Sequence, residues 1–487
     1  MELTFAQKEN IGLRYVLDLL KPCSPFGQVL VRDMTPMGPG QREELQRQLQ
    51  NVRAVAEGES CRRELQQLLQ IFMGLKMVRP TAQKCLETEL NAIELFELKR
   101  FLLQTQQMLP LFARICSQLK LTGIALIDTT AALDILDPDG SRTASFYLAD
   151  SVSPELCRLR REKRALELQI REEAKPELLA LRSQIAGEEE LEEQRIHSRM
   201  SRQLRPHIQA MLANMEAIGD LDLTAEKARI ARIYGGVAPT LTEDSLELTD
   251  MTNPRISDLL AQQGKTFTPV SIGLERGAAV ITGANMGGKS VALKTVALNV
   301  LLVHCGFFPF AATAKVPLFD GIHILSEDLE SIDRGLSSFG GEMVRFSQML
   351  QQMAQGFHFV ILDEFARGTN PQEGAAIVRA VTQYLNRQNA ISVLATHYDH
   401  VAEVASAHYR VAGLRDLNWD ALGYELRHLS GQEGAARIAA YMNYGLYPVH
   451  SRQDCPRDAL HICRLLGMPA EIVEDAEKTA GFGMKIC

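Results

Sequence analysis

A glycine-rich loop followed at once by lysine and serine constrains the fold of this chain more than any other feature. Residues 283–290 read Gly-Ala-Asn-Met-Gly-Gly-Lys-Ser. The loop follows the short β-prone run Ala279-Val280-Ile281 and precedes an apolar run of helical length, Val291 to Val303. A strand, a glycine-rich turn and a helix in this order surround phosphate oxygens with backbone N–H groups and a positive helix N-terminus. The segment therefore predicts an α/β domain that binds a nucleoside triphosphate.

A second apolar strand, Phe359 to Leu362, ends in two carboxylates, Asp363 and Glu364. In a phosphate-loop ATPase, Lys289 would contact the β and γ phosphates, while Ser290 and Asp363 would hold a bridging Mg²⁺. Glu364 would then orient the attacking water. We predict binding and hydrolysis of ATP with Mg²⁺ as cofactor, with the nucleotide also contacted by the other loop residues, Gly283, Ala284, Asn285, Met286, Gly287, Gly288 and Val291.

A histidine at the end of a third apolar strand is a further candidate. Thr396-His397 follows the run Ile391 to Ala395. At this distance after an Asp-Glu strand, His397 is expected to contact the γ-phosphate, although an isolated histidine is more often structural. We therefore assign His397 to the predicted catalytic residues.

Charge and length limit the other functions open to the chain. At 487 residues the chain exceeds the size of a single hydrophobic core, so two to four domains are expected. The net charge is −8, and the nearest approach to a basic stripe, between Arg158 and Arg164, is interrupted by Glu162. A solvated helix face is therefore favoured there over a nucleic-acid contact.

Cysteine usage and hydropathy favour a cytoplasmic protein. The nine cysteines are scattered without a Cys-x-x-Cys pair, which predicts reduced thiols. Cys455, His461 and Cys463 lack a fourth ligand at metal-site spacing, so a metal site is not favoured there. The start of the chain has no signal-peptide pattern, and polar residues interrupt the apolar run 296–312. That run predicts a buried helix, and no association with a membrane is expected.

The pattern along the chain predicts three regions. Residues 1–150 are mainly helical, residues 151–217 form a helical hairpin that breaks at Ala186-Gly187, and residues 218–487 form the ATPase domain. Between the first two, 144–148 is expected to be a short strand and Ser153 a helix cap. The predicted fold class is thus an α/β phosphate-loop ATPase domain preceded by a mainly α-helical region.

The motifs together resemble the MutS family. Besides the loop at 283–290, they comprise Ser337-Ser338-Phe339-Gly340-Gly341-Glu342-Met343, Asp363 to Thr369, and Thr396-His397-Tyr398. The resemblance implies an ABC-type ATPase domain, with the preceding helices as lever and clamp and the closing helices as a dimerisation element. It also implies a homodimer, or a heterodimer with a MutS-like paralogue, in which Ser337 acts on the nucleotide of the partner. Phe267 matches the aromatic residue that stacks on adenine, with a core phenylalanine as the alternative.

The chain departs from the family pattern at several positions. Ala284 stands in place of proline, and Val291 and Ser338 stand in place of threonine; none of these changes removes a phosphate ligand. Residues 1–150 contain no Phe-x-Glu, the motif that inserts a phenylalanine wedge into mismatched DNA. The resemblance is therefore to a MutS-like ATPase that lacks the N-terminal mismatch-reading domain and the C-terminal nuclease-type tail.

Two functions remain open at this stage. One is a dimeric ATPase that binds DNA and acts in mismatch repair or other DNA processing, as family membership favours. The other is a protein-remodelling ATPase with a client protein complex, such as a reactivating factor for a cobalamin-dependent aminomutase. The acidic net charge and the missing wedge favour the second function.

Overall fold

A computed structural model describes most of the chain. The described residues are 4–145, 147–173, 175–283, 288–326, 338–413, 443–449 and 468–479, with the single positions 422, 424, 441, 460, 463 and 464. The chain divides into two compact units. The helical unit comprises Leu20–Met34 and Gln50–Ala228, and the sheet-containing unit comprises Met1–Leu19, Thr35–Leu49 and Arg229–Cys487.

Helices form most of the described part of the first 234 residues; the sequence predicts a mainly helical region for 1–150 and a helical hairpin for 151–217. The helices are α1 (Phe5–Ile11), α2 (Leu13–Asp18), α3 (Pro25–Arg32), α4 (Arg42–Glu57), α5 (Arg62–Met73), α6 (Arg79–Glu87), α7 (Ala92–Leu119), α8 (Thr130–Leu136), α9 (Pro154–Glu172), α10 (Pro176–Leu204) and α11 (Ile208–Tyr234). Leucines and phenylalanines of α5 and α7 form the centre of the helical unit, where Phe72, Phe101 and Phe112 are almost fully buried. Phe26 of α3 packs edge-on against Phe101, with ring centroids 5.9 Å apart.

The first helices belong to the sheet-containing unit, although the sequence analysis grouped them with the N-terminal helical region. Gln7 Nε2 in α1 donates to the Ile324 carbonyl (2.9 Å), and Tyr15 Oη in α2 donates to Asp258 (2.6 Å). These partners are far away in sequence. Hydrophobic periodicity identifies a helix but does not report such distant contacts.

The helical pair α9 and α10 differs from the prediction in the position of its break. α9 ends at Glu172 and α10 begins at Pro176, whereas Ala186-Gly187 lies inside α10. Gly187 has helical backbone, and no atom lies within 4 Å of the place where a Cβ would be. It therefore destabilises the helix by only about 1 kcal/mol relative to alanine. Pro176 at the first turn of α10 is the stronger signal, because proline starts helices and disfavours helical backbone just before it.

The segment 144–148 forms no strand at its described positions, so that prediction is wrong. Two of its backbone carbonyls instead accept hydrogen bonds from long side chains. Lys99 Nζ donates to the Ser145 carbonyl (2.9 Å), and Arg160 donates to the Leu148 carbonyl. The expected helix cap at Ser153 is present: Ser153 Oγ accepts from Leu156 N–H (3.3 Å), and Pro154 begins α9.

A buried ion network joins α9 to α10. The Arg160 side chain is only 6% exposed and contacts Glu189 (3.1 Å), Glu193 (2.8 Å) and Asp150 (3.0 Å). Lys163 also pairs with Glu189. Arg160 and Lys163 therefore face carboxylates, and Arg160 is not part of the solvated helix face that the sequence predicts.

Two sheets and five further α-helices follow in the described part of the chain. The elements are β1 (Thr240–Thr242), β2 (Leu246–Met251), α12 (Pro254–Gln262), β3 (Val270–Leu274), β4 (Gly277–Thr282), α13 (Lys289–His304), β5 (Thr313–Pro317), β6 (Gly321–Leu325), α14 (Ser338–Gln352), β7 (His358–Asp363), α15 (Pro371–Leu385), β8 (Ala390–Ala395), β9 (Ala407–Gly413), β10 (Asn443–Pro448) and α16 (Ala470–Thr479). The three strands predicted around 279–282, 358–362 and 391–395 are present as β4, β7 and β8.

The larger sheet has the strand order β10-β9-β4-β8-β7-β6. All neighbours are parallel except β10, which runs antiparallel to β9. β4 and β8 are buried throughout, as expected for parallel strands covered on both faces. The smaller sheet has the order β1-β5-β2-β3, and Tyr409 of β9 bonds through its hydroxyl to the backbone of Gly273 in β3.

Within the described residues, every helix falls short of the length or apolarity that a membrane crossing requires.

Removal of the central arginine of the ion network should destabilise the helical unit. Arg160→Ala leaves three carboxylates close together without their shared cation, and loss of one partner of a buried ion pair costs about 3–5 kcal/mol. Arg158→Ala is the matched control, because Arg158 is half-exposed and exposed pairs contribute at most about 1 kcal/mol. Urea unfolding followed by circular dichroism measures both changes. Equal, small losses in the two variants would contradict the structural role of Arg160.

Candidate active site

Three parallel strands bring the sequence motifs to one edge of the larger sheet. β8 lies between β4 and β7, and Ile281, Ala395 and Asp363 are in register across the three strands. Beyond the strand end, Glu364 N–H donates to the Ala395 carbonyl (3.0 Å). The carboxyl ends of parallel strands are where open α/β sheets bind ligands. The motifs after β4, β7 and β8 therefore share one candidate site.

The described ends of the glycine-rich loop have the backbone of a phosphate cradle. Gly283 (φ +146°) and Gly288 (φ +85°) both adopt conformations that other residues rarely take, and Gly288 precedes the first turn of α13. Lys289 Nζ donates to the Gly283 carbonyl at 2.9 Å, so the lysine side chain folds back along the loop. Residues 284–287, including the predicted ligands Ala284, Asn285, Met286 and Gly287, lie outside the described residues.

A serine hydroxyl and a carboxylate meet beside this loop. Ser290 Oγ donates to Asp363 Oδ1 at 2.9 Å. Burial raises the pKa of Asp363 and the nearby Glu364 raises it too, whereas Ser290, Lys294 and Lys289 act in the opposite direction. Oxygen ligands from one hydroxyl and one carboxylate, with phosphates supplying others, are what Mg²⁺ uses in phosphoryl-transfer sites. The pair therefore fits the predicted magnesium role.

Glu364 lies between two cations. Its Oε1 is 3.7 Å from Lys289 Nζ, and its Oε2 is 3.1 Å from Arg367 Nη1. The side chains of Lys289 and Glu364 are 2% and 16% exposed, so solvent screens their attraction less than that of a surface pair. The structure thus brings Lys289, Ser290, Asp363 and Glu364 together, as the motif spacing predicts.

The turn that carries Glu364 is strained. Glu364 (φ +52°) and Ala366 (φ +62°) both have left-handed backbone. This conformation costs about 1–2 kcal/mol for each residue that has a Cβ. Such strain persists only where the surrounding structure imposes it, and it is frequent at functional sites.

His397 is a partly exposed residue in the loop that follows β8. Its ring centroid lies 4.4 Å from that of Tyr398. Partial burial lowers the pKa of His397; Glu364 opposes that shift, and Lys289 and Arg367 add to it. The charges of Glu364 and Lys289 thus act on the pKa of the imidazole in opposite directions.

The remaining predicted residues are partly described. Val291 is half-buried in the first turn of α13, and its carbonyl accepts from Thr295 Oγ1 (2.7 Å). Phe267 is half-buried in the segment before β3. Ser337, Cys455 and His461 lie outside the described residues. Among the described residues, no group of three or more His, Cys, Asp or Glu side chains could hold a metal ion.

Tyr444 on β10 is a site residue that the sequence analysis missed. A Cβ placed on Gly288 would lie 2.2 Å from Tyr444 Cδ1, so the ring packs directly on the end of the loop. β10 also reaches the segment beside Phe267, since a Cβ on Gly445 would lie 3.6 Å from Thr268 Cγ2. A tyrosine more than 150 residues beyond the loop gives no local signal, and only the antiparallel pairing of β10 brings it to the site.

A side chain at position 288 should impair nucleotide binding. Gly288→Ala adds backbone strain and a clash with Tyr444, and we expect ATP affinity to fall at least about tenfold, or 1.4 kcal/mol. Gly264→Ala is the matched control, because Gly264 also has positive φ (+70°) but a Cβ there would have no atom within 4 Å. Calorimetric titration with ATP measures both variants, and Gly288→Ala/Tyr444→Ala should recover part of the loss. Unchanged affinity in Gly288→Ala would place the nucleotide elsewhere.

Comparison with known proteins agrees with this arrangement. The sequence model of MutS domain V matches residues 279–481. Proteins named Endonuclease MutS2 are similar over a longer stretch. That of Thermomicrobium roseum is 32% identical over 286 residues, 56% of this chain and 33% of the relative. That of Streptococcus equi subsp. zooepidemicus is 29% identical over 301 residues, 61% of this chain and 35% of the relative.

The match therefore spans about a third of the length of these curated relatives. The domain V match at residues 279–481 includes the loop, the Asp-Glu strand and the histidine, which the structure brings to one edge of the sheet. Residues 279–481 of this chain thus match domain V of the MutS family, and the chain is similar to that family.

Proposed function

We propose that this chain binds ATP with Mg²⁺ at the carboxyl edge of β4, β8 and β7 and hydrolyses it, as a dimeric MutS-type ATPase that acts on DNA. The observation that supports this most is the contact between Ser290 and Asp363 (2.9 Å), with Glu364 beside Lys289 (3.7 Å). A hydroxyl, two carboxylates and a buried lysine are the functional groups that phosphate-loop enzymes use for phosphoryl transfer.

Each residue has a role that its position supports. Lys289, on the first turn of α13, neutralises the β and γ phosphates, while the N–H groups of the loop and the helix N-terminus surround them. Ser290 and Asp363 would hold Mg²⁺, which would supply positive charge beside the phosphates. Glu364 accepts a hydrogen bond from the attacking water and orients it. His397 contacts the γ-phosphate from the end of β8.

The proposals of a dimer and of a DNA target rest on the resemblance to the MutS family. That resemblance implies that Ser337 of one subunit completes the nucleotide site of the other and that Phe267 stacks on adenine. The relatives' printed name, Endonuclease MutS2, describes those longer proteins. For this chain we propose only the ATPase and its coupling to DNA, by analogy with the family.

A protein client is the second candidate, and one observation favours it. Several basic residues of α9 are paired within the chain: Arg158 pairs with Glu155 and Glu162, and Arg160 pairs with carboxylates of α10. Cations engaged in this way release fewer counterions from DNA and contribute little to DNA affinity. A remodelling ATPase needs no such basic surface.

Replacement of Glu364 tests the proposed reaction. Glu364→Gln should bind ATP with near-normal affinity but hydrolyse it at least about a hundredfold more slowly, because the amide cannot serve as a base. Glu247→Gln is the matched control, since Glu247 pairs with Lys315 on the smaller sheet. Phosphate release under saturating ATP measures the rate, and normal turnover in Glu364→Gln would refute the assignment.

The same ATP-bound Glu364→Gln protein distinguishes the two targets. If DNA is the target, it should retain duplex DNA, with affinity that falls steeply as salt rises. Absence of duplex binding at about physiological salt would contradict the DNA proposal and favour a protein client.

A further inference from the structure

Both backbone polar atoms of Ala366 are held by side chains from other elements. Ala366 N–H donates to Glu342 Oε2 of α14 at 3.0 Å. The Tyr398 hydroxyl donates to the Ala366 carbonyl at 2.9 Å. Since Ala366 is fully buried and has left-handed backbone, these two bonds impose a conformation that the residue alone disfavours.

Apolar packing links the same helix to the same turn. Phe365 is 2% exposed, and its ring centroid lies 4.9 Å from that of Phe346 on α14. Glu342 and Phe346 are four residues apart and so lie on one face of the helix. This face of α14 therefore contacts the turn through one polar and one apolar side chain.

Tyr398 completes the support from the other side. A Cβ on Gly374 would lie 2.3 Å from the Tyr398 hydroxyl, so the glycine allows the phenol to reach Ala366. Burial raises the pKa of Tyr398, and Glu342 and Glu364 raise it further.

We propose that Glu342 is a positioning residue, which holds Ala366 in its left-handed conformation and thereby sets the orientation of Glu364; this rests on the proposed ATPase function. Ala366 is two residues from Glu364, so release of the Ala366 amide lets the turn relax and moves the carboxylate. Lys289 and Ser290 lie on α13 and keep their places. The position of α14 therefore controls the rate of hydrolysis separately from nucleotide affinity.

The proposal predicts a change in kcat without a matching change in binding. Glu342→Ala should lower kcat about tenfold or more, as expected for loss of a hydrogen bond to a charged group, and leave the Kd for ATP within about threefold. Glu342→Gln keeps an acceptor oxygen and should recover most of the rate. Gln351→Ala, an exposed position on the same helix, is the matched control. Hydrogen exchange at the Ala366 amide should quicken in Glu342→Ala without nucleotide.

Three results would contradict the proposed role of Glu342. A wild-type kcat in Glu342→Ala, or parallel losses of kcat and affinity in both Glu342 variants, would show that Glu342 does not act through Glu364. In the Glu364→Gln background, Glu342→Ala should cause no further loss of rate, and an additive loss would also contradict the proposal. If the wild-type chain neither binds nor hydrolyses ATP, the proposed function itself fails, and the inference fails with it.

Discussion

The parallel pairing of β4, β8 and β7 is the constraint on which the site depends. The register that aligns Ile281, Ala395 and Asp363 places the ends of the three strands side by side. A shift of one residue in β7 would turn Asp363 to the opposite face of the sheet and separate it from Ser290. The buried apolar faces of these strands fix that register, so the hydrophobic core and the chemistry are set by the same residues.

Charge balance explains why the site contains so many ionisable groups at low exposure. A buried lysine is tolerated only with a nearby partner, and Lys289 has Glu364 at 3.7 Å and the Gly283 carbonyl at 2.9 Å. Asp363 carries a raised pKa, mainly because of burial, and is held by Ser290. A bound phosphate would give Lys289 a further anionic partner, and Mg²⁺ would give Asp363 a cationic one.

Local patterns were sufficient to predict the elements of the site. The apolar runs at 279–281 and 359–362 are strands, and the run from 291 is a helix, because each carries a periodicity or length that decides its type. The predicted break at Ala186-Gly187 is wrong, because Gly187 is helical and Pro176 marks the start of α10. The contacts of Tyr444 with Gly288 and of Glu342 with Ala366 join distant segments, and no single-sequence pattern reports such pairs.

Titration calorimetry of ATP binding with and without Mg²⁺, for the wild type and Asp363→Asn, tests the site most directly. If Ser290 and Asp363 hold the ion, Mg²⁺ should raise the ATP affinity of the wild type by about tenfold or more and have little effect on Asp363→Asn, which lacks the charged ligand. Affinity that is independent of Mg²⁺ in the wild type, or an equal Mg²⁺ effect in both proteins, would contradict the proposed active site.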